Sequence, residues 1–166
     1  MFTKIEDFLA AWQQESASTL KVMENLTDSS LNRKVTEEGR SLGFIAWHIT
    51  QTIGEMMSQA GLSFEDFEES APAPSRAVEI NNEYQRLAQL LVEEIKQRWQ
   101  DNMLDDPLKM YGQDWRRKDV LMVLLAHQSH HRGQMTVLMR QAGLKVPGVC
   151  GPSREEWSAF GMPEQP

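Results

Sequence analysis

The chain has 166 residues, of which 40% are hydrophobic and 25% charged, a balance typical of one folded domain rather than of a disordered segment. Its net charge of −7 argues against the broad basic surface that nucleic-acid binding needs. The longest apolar run, residues 120–126, is too short to span a bilayer, and no signal-peptide pattern opens the sequence. We therefore expect a cytoplasmic protein that binds neither nucleic acid nor a membrane.

Apolar residues recur at helical spacing in four long segments of the chain. The four predicted helices cover approximately residues 3–26, 41–61, 75–100 and 117–142. The segments between them are polar or contain proline and glycine, and we expect them to be loops. Four amphipathic helices joined by loops are typical of an all-α four-helix bundle.

The residues after the fourth predicted helix follow a different pattern. Gly143 occupies the position favoured just beyond a helix C-terminus, and the proline- and glycine-rich residues 147–152 predict an extended C-terminal tail. Ser153 and Glu156 have the spacing of a capping box, which predicts a short terminal helix. Since no internal repeat divides the chain, we expect a single domain over residues 1–166.

All four histidines of the chain fall inside two of the predicted helices. His48 lies in the second helix, and His127, His130 and His131 lie in the fourth. Core positions usually hold aliphatic side chains, so an imidazole there needs a partner for its ring nitrogens. A metal ion would serve several of these rings at once. A hydrogen bond within the core is the alternative for each ring alone.

The spacing of these histidines distinguishes the candidate metal ligands from His130, which lies beside them. At about 100° per residue, His127 and His131 project from the same apolar stripe one turn apart, so both can reach one ion. His130 falls at the edge of that stripe and is the weaker candidate. His48 lies on the predicted apolar side of the second helix, one turn after Phe44. It can complete a three-histidine site if the second helix packs beside the fourth.

Three neutral imidazoles suit a divalent metal ion, with zinc or nickel as the first candidates and iron or manganese as alternatives. Three protein ligands leave coordination positions open, as in catalytic rather than structural sites. Glu55, two turns beyond His48, and Cys150, in the tail, are the two residues that could close such a site as a fourth ligand. A solvated carboxylate and a thiol without a role in the site are the alternative interpretations.

Two other metal-site architectures are excluded by single positions. The segment from His127 to His131 has the spacing of the zinc-protease helix, but Gln128 stands where that motif has a glutamate general base. A di-iron bundle needs a glutamate three residues before the histidine, and Leu124 and Ile45 occupy the two corresponding positions. Neither proteolysis nor di-iron chemistry is therefore expected.

Several polar residues are predicted to lie around the histidines without binding the metal directly. Gln134 projects close to the histidine face, where it could hydrogen-bond a ligand or a substrate. His130 and Glu55 are further candidates for such an outer position. Arg132 projects away from the histidine stripe, and we expect it to make a surface or dimer contact.

Four blocks of this sequence resemble the DinB family of the DinB/YfiT-like superfamily. They are Gly43-Phe-Ile-Ala-Trp-His48, His127-Gln-Ser-His-His-Arg-Gly-Gln134, Leu138-Met-Arg-Gln-Ala-Gly143 and Pro147-Gly-Val-Cys-Gly-Pro-Ser-Arg-Glu-Glu-Trp157. The resemblance implies a four-helix bundle with up-down-down-up wiring, often a homodimer, with a divalent metal held by three histidines. Carried over by position, these histidines are His48, His127 and His131.

The resemblance also implies two alternative functions. Similar proteins include thiol-dependent transferases and isomerases that use low-molecular-weight thiols, and damage-inducible members without an established activity. Our leading hypothesis is a metal-dependent enzyme that transfers a metal-activated thiol to a small electrophile, with hydrolysis as a second reaction type. The alternative is a non-catalytic, stress- or damage-related protein whose metal only stabilises the bundle. No catalytic residue is assigned from the sequence.

Overall fold

A computed structural model describes residues 2–164, so that Met1, Gln165 and Pro166 of the expected domain 1–166 lie outside the described residues. The long helices are α1 (Ile5–Met23), α2 (Leu42–Gln59), α3 (Ala77–Arg98) and α4 (Arg117–Gln141). Short 3₁₀ turns occupy Asp28–Ser30, Asp101–Asp105 and Arg154–Phe160. The predicted helical fold is confirmed. Within residues 2–164, no helix combines the length and apolar character needed to cross a membrane.

Polar groups and a glycine define where several of these helices begin and end. Ser41 caps α2, since its hydroxyl accepts a hydrogen bond from the Phe44 N–H at 3.1 Å. The start of α1 is capped from a distant part of the chain, because the Asp101 carboxylate accepts from the Ile5 N–H at 2.8 Å. After α4, Gly143 adopts a left-handed φ of 72°, which ends the helix where the sequence predicts.

Hydrogen bonds near the helix ends define the direction of each helix. The Asp28 carboxylate, just after α1, accepts from the first N–H of α3 at 2.7 Å, so α1 and α3 are antiparallel. Ser63, just after α2, donates its N–H to Glu94, near the end of α3, at 2.8 Å. Lys21, near the end of α1, donates to the carbonyl of Gly148, in the tail that follows α4, at 2.7 Å. Therefore α2 and α3 run in one direction, and α1 and α4 run in the other.

The four helices surround one apolar core. α1 contacts α3 and α4, and α2 contacts the same two helices. Phe8, Trp12 and Tyr84 are among the largest side chains that are fully buried there, and burial of an apolar side chain of this size contributes roughly 1.5–3 kcal/mol. The arrangement places α2 directly beside α4, as a site shared by these two helices requires.

A short hairpin lies between α3 and α4, in a segment for which the sequence predicted only a break between helices. Its strands β1 (Pro107–Met110) and β2 (Gln113–Arg116) pair antiparallel. Tyr111 and Gly112 form the turn with positive φ values of 51° and 77°, as tight hairpin turns require. Four residues per strand are too few for a clear alternating pattern, so the hairpin has only a weak signal in the sequence.

The prediction that Arg132 makes a surface or dimer contact is wrong. Its side chain is only 4% exposed and forms an ion pair with Glu15, and Nη1 donates a hydrogen bond to the Thr19 hydroxyl at 3.1 Å. Arg132 does project away from the histidines, but α1 packs against that side of α4. A side chain that points away from the site is therefore buried against another helix rather than exposed.

We expect Glu15→Ala to lower the free energy of unfolding by about 3 kcal/mol, because it leaves the buried guanidinium of Arg132 without its counter-charge. Urea unfolding followed by circular dichroism measures this loss. Asp114→Ala is the control, since the Asp114–Lys109 pair is 76% and 75% exposed and such pairs contribute at most about 1 kcal/mol. Equal losses in the two variants would contradict a structural role for the buried pair.

Candidate metal centre

Three histidine side chains converge between α2 and α4. His48 projects from α2, while His127 and His131 project one turn apart from α4. Their ligand nitrogens all lie within 4.8 Å of one another. The ring centroids are separated by 4.9 Å for His48–His127, 4.7 Å for His48–His131 and 4.4 Å for His127–His131. The structure thus brings together the three histidines that the sequence selects.

The closest approach within the cluster joins the Nε2 atoms of His48 and His127, which are 3.1 Å apart. Two nitrogens that each lie about 2.0–2.1 Å from one tetrahedral zinc ion are roughly 3.3 Å apart. The observed separation is therefore close to that of two ligands of the same ion. The donor set, three uncharged imidazoles, fits a divalent metal of the first transition row.

Gln134 determines which nitrogen of His131 faces the cluster. The side-chain oxygen of Gln134 lies 2.7 Å from Nδ1 of His131, so Nδ1 carries the proton and donates it to this oxygen. The lone pair of His131 is then on Nε2, as in metal-binding histidines whose other nitrogen contacts an outer partner. The amide nitrogen of Gln134 lies 3.1 Å from Nε2 of the exposed His130. Gln134 and His130 therefore occupy outer positions in a hydrogen-bonded chain that leads to His131.

His127 makes its polar contact on one side of the ring only. Its Nδ1 atom is buried and has no hydrogen-bond partner among residues 2–164, whereas its Nε2 atom faces His48. A buried polar atom without a partner costs free energy. The interactions available to this imidazole are therefore concentrated at the nitrogen that faces the other two rings.

Burial favours the neutral form of all three rings. Desolvation is the main cause that lowers the pKa of His48, His127 and His131 below the ordinary value of 6.5, and the pKa of His127 falls to about 4. Repulsion between the protonated forms of neighbouring rings and from the guanidinium of Arg40 lowers these pKa values further. The hydrogen bond that His131 donates to the Gln134 oxygen partly opposes the shift, because it raises the pKa of His131. Neutral rings keep the lone pairs that a metal ion needs.

A buried hydrogen-bond bridge holds α2 and α4 together at the level of the histidines. The fully buried Gln128 donates from Nε2 to the Ile49 carbonyl at 2.8 Å, and its Oε1 accepts from the Tyr84 hydroxyl at 2.9 Å. Gln128 directly follows His127 and Ile49 directly follows His48. The bridge therefore fixes the positions of His127 and His48 relative to each other along the helix axes. In the sequence, Gln128 was informative only as the missing glutamate of a protease motif, because its partners belong to other helices.

The two candidate fourth ligands lie outside the cluster. The Glu55 carboxylate accepts a hydrogen bond from the Tyr111 hydroxyl, at the tip of the hairpin, at 2.9 Å. Cys150 is exposed in the C-terminal tail. Neither residue belongs to the group of ligand atoms formed by the three histidines. Among residues 2–164, the cluster therefore offers three side-chain ligands.

Phe44 and Arg40 lie next to the cluster at the beginning of α2. Phe44 was expected on the apolar side of the helix, but its side chain is 48% exposed. Its ring stacks on His48 with a centroid distance of 6.1 Å and an interplanar angle of 16°, and the Arg40 guanidinium lies 5.2 Å from the centroid of Phe44. Phe44 does share a helix face with His48, but at its position this face meets solvent instead of the core.

A large groove lies on a different side of the molecule. Its volume is about 1010 Å³, and residues of α1 and α3 line it without any histidine. Because α2 and α4 form the opposite side of the four-helix arrangement, this groove is separate from the histidine cluster. We place the candidate site at the histidines, where neutral nitrogen ligands converge, rather than at the larger groove.

The chain is similar to known proteins over nearly its whole length. The sequence model of the DinB family matches residues 1–165. The uncharacterized protein YrdA of Bacillus subtilis strain 168 is 42% identical over 162 residues, which correspond to 98% of this chain and 97% of that protein.

Two solved structures are similar to this fold. A DinB-like protein from Bacillus cereus ATCC 10987 has a TM-score of 0.85 and 41% identity, covering 90% of this chain and 99% of that one. The DinB-like protein YjoA from Bacillus subtilis has a TM-score of 0.68 at 16% identity, covering 86% of this chain and 97% of that one, which shows a shared fold alone. Since the family model covers almost the entire chain and a relative is 42% identical across it, the protein belongs to the DinB family.

Proposed function

We propose that this DinB-family protein is a metal-dependent enzyme that holds one divalent ion through His48, His127 and His131 and transfers a small thiol to an electrophile. The observation that carries the metal site is the convergence of three neutral imidazoles, two of them with Nε2 atoms 3.1 Å apart. The family resemblance supplies the reaction type. Zinc and nickel suit this donor set best, with iron and manganese as alternatives.

The residues around such a site have different roles. The three histidines would hold the ion, and Gln134 keeps the His131 lone pair directed at it through the 2.7 Å hydrogen bond to Nδ1. A divalent ion held there supplies a Lewis acid that lowers the pKa of a bound water or thiol. Since the cluster contains three side-chain ligands among the described residues, coordination positions are left for a small molecule. This openness favours catalysis over a purely structural metal.

We propose, from the family resemblance, that the protein is a homodimer. Size-exclusion chromatography with light scattering tests this directly, since a single species with the mass of one chain would contradict it.

We also propose that the protein acts on small molecules in the cytoplasm, in a response to stress. Fractionation of the cells that produce it tests the location, and measurement of its expression after damage tests the link to stress.

We expect the protein to bind one zinc or cobalt ion per chain. His48→Ala and His131→Ala should weaken this binding by more than roughly 100-fold, because losing a ligand costs more than the roughly 10–100-fold typical of an outer partner. His130→Ala is the matched comparison, since it removes the same side chain from an exposed position of α4 that contacts Gln134 rather than the ion, and it should weaken binding far less than the two ligand substitutions. Elemental analysis and chelator competition measure the binding. Metal content unaffected by the two ligand substitutions would refute the site.

The lowered histidine pKa values predict that metal binding resists mild acid. Protons and metal compete for the same lone pairs, and the pKa of each ring lies below 6.5, that of His127 at about 4. We expect the dissociation constant for Zn²⁺ to begin to rise only below pH 6.5, where the first of the three rings takes up a proton, and to go on rising until His127 is protonated near pH 4. Chelator competition at each pH measures this. A loss of affinity centred on pH 6.5 would speak against buried, neutral ligands.

Catalysis is tested with the zinc-loaded protein, cysteine as the thiol and monochlorobimane as the electrophile. The thiol sulfur bonds to the methylene carbon of the bimane, chloride leaves with the bonding electrons, and the thiol proton passes to the buffer. We expect fluorescent thioether to form at least about tenfold faster than without protein, and His48→Ala to abolish the acceleration. No acceleration, together with a large loss of thermal stability on chelation, would favour the non-catalytic metal-binding alternative.

A further inference from the structure

The surroundings of the histidine cluster are positively charged, although the whole chain carries a net charge of −7. Arg40 is the charged side chain next to the cluster, since its guanidinium lies 5.2 Å from the centroid of the Phe44 ring, which stacks on His48. Among residues 2–164, no carboxylate forms an ion pair with Arg40 or with a histidine of the cluster. The local charge therefore has the opposite sign to the charge of the protein.

An aromatic contact holds Arg40 in this position. Its guanidinium lies 5.2 Å from the Phe44 ring centroid, and Phe44 in turn stacks on His48 with centroids 6.1 Å apart. Phe44 and His48 lie one turn apart in α2, and Arg40 precedes the N-cap Ser41, from where its side chain reaches the ring of Phe44. A cation–π contact restrains a long side chain that would otherwise lose more conformational entropy on binding a ligand.

The guanidinium of Arg40 has no ion-pair partner within residues 2–164. All ten arginines lie in this described part of the chain, where eight of them pair with a carboxylate and Arg33 and Arg40 do not. Glu37 and Glu38 precede Arg40 closely in the sequence, yet neither forms an ion pair with it. The planar fork of an arginine donates two parallel hydrogen bonds to a carboxylate, and in Arg40 this fork is available.

We propose that Arg40, held on Phe44, binds the carboxylate of a small anionic molecule whose other end occupies the open side of the histidine cluster. The inference rests on the proposed metal site, and it adds that the small molecule bound there carries a negative charge. Three neutral imidazoles leave the charge of a divalent ion uncompensated, and Arg40 adds a further positive charge beside it. A site with this net charge selects anions over neutral or cationic molecules of the same size.

Three thiols that differ in the charge of their far end test this selection. β-Mercaptopropionate ends in a carboxylate, β-mercaptoethanol in a neutral hydroxyl and cysteamine in an ammonium group. Each is titrated into the Co²⁺-loaded protein, and binding is followed by the ligand-field and sulfur-to-cobalt absorption. Because the three thiols also differ in acidity, the dissociation constant of each thiol is compared between wild type and variant at one pH.

We expect Arg40→Gln to weaken the binding of β-mercaptopropionate about tenfold, to leave that of β-mercaptoethanol unchanged and to strengthen that of cysteamine. Arg40→Lys should retain part of the preference, because it keeps the charge but loses the planar fork. Arg33→Gln is the matched control, since Arg33 is also exposed and without an ion pair, and is not among the charges that act on the histidines. It should change none of the three constants.

The outcomes separate this inference from the proposed function. If Arg40→Gln changes the binding of all three thiols equally, or of none, the inference is overturned while the metal site stands. Unchanged Co²⁺ affinity in Arg40→Gln, with the selective loss of β-mercaptopropionate, supports both. If the wild-type protein does not bind Co²⁺, the proposed function fails, and the inference fails with it.

Discussion

The buried amide of Gln128 is the constraint on which the histidine cluster depends. Its hydrogen bonds to the Ile49 carbonyl and the Tyr84 hydroxyl tie α4 to α2 and α3 at the height of the site. A slip of α4 by one residue would leave these buried groups without partners, at a cost of roughly 1–3 kcal/mol each. Only one register of α2 against α4 satisfies them, and in that register His48 meets His127. A hydrogen bond that no histidine makes therefore sets the geometry of the histidines.

Four polar residues of α4 that contact other helices form two adjacent pairs, each with the spacing of one helical turn. His127 and His131 face α2, while Gln128 and Arg132 contact the other helices through buried polar interactions. The first pair is electrostatically neutral at neutral pH, since burial lowers the pKa of both rings. The charge in the second pair is compensated by an acid on α1. One helix thereby supplies the candidate metal ligands and a large part of the polar interior without leaving a charge unpaired in the core.

The helices and the three histidines were predictable because both depend on local spacing. Periodicity located the helices, Gly143 marked the end of α4, and the interval of four residues selected His127 and His131. What the sequence did not indicate depends on partners in other helices. The buried ion pair of Arg132 requires knowing that α1 packs behind α4, and the exposure of Phe44 requires knowing where the core ends. The hairpin was missed because strands of four residues carry little pattern of their own.

The alternation of the two pairs along α4 makes the length of the helix as important as its composition. Each residue of an α-helix advances the direction of the side chains by about 100°. Deleting one residue between positions 117 and 126 would place Gln128 and Arg132 where His127 and His131 now stand, and would turn the histidines out of their shared face with His48. Substitutions in this half of α4 can be absorbed one side chain at a time. An insertion or a deletion there would instead rotate every later side chain of the helix. The segment before His127 is therefore fixed in length even at positions where its residues can vary.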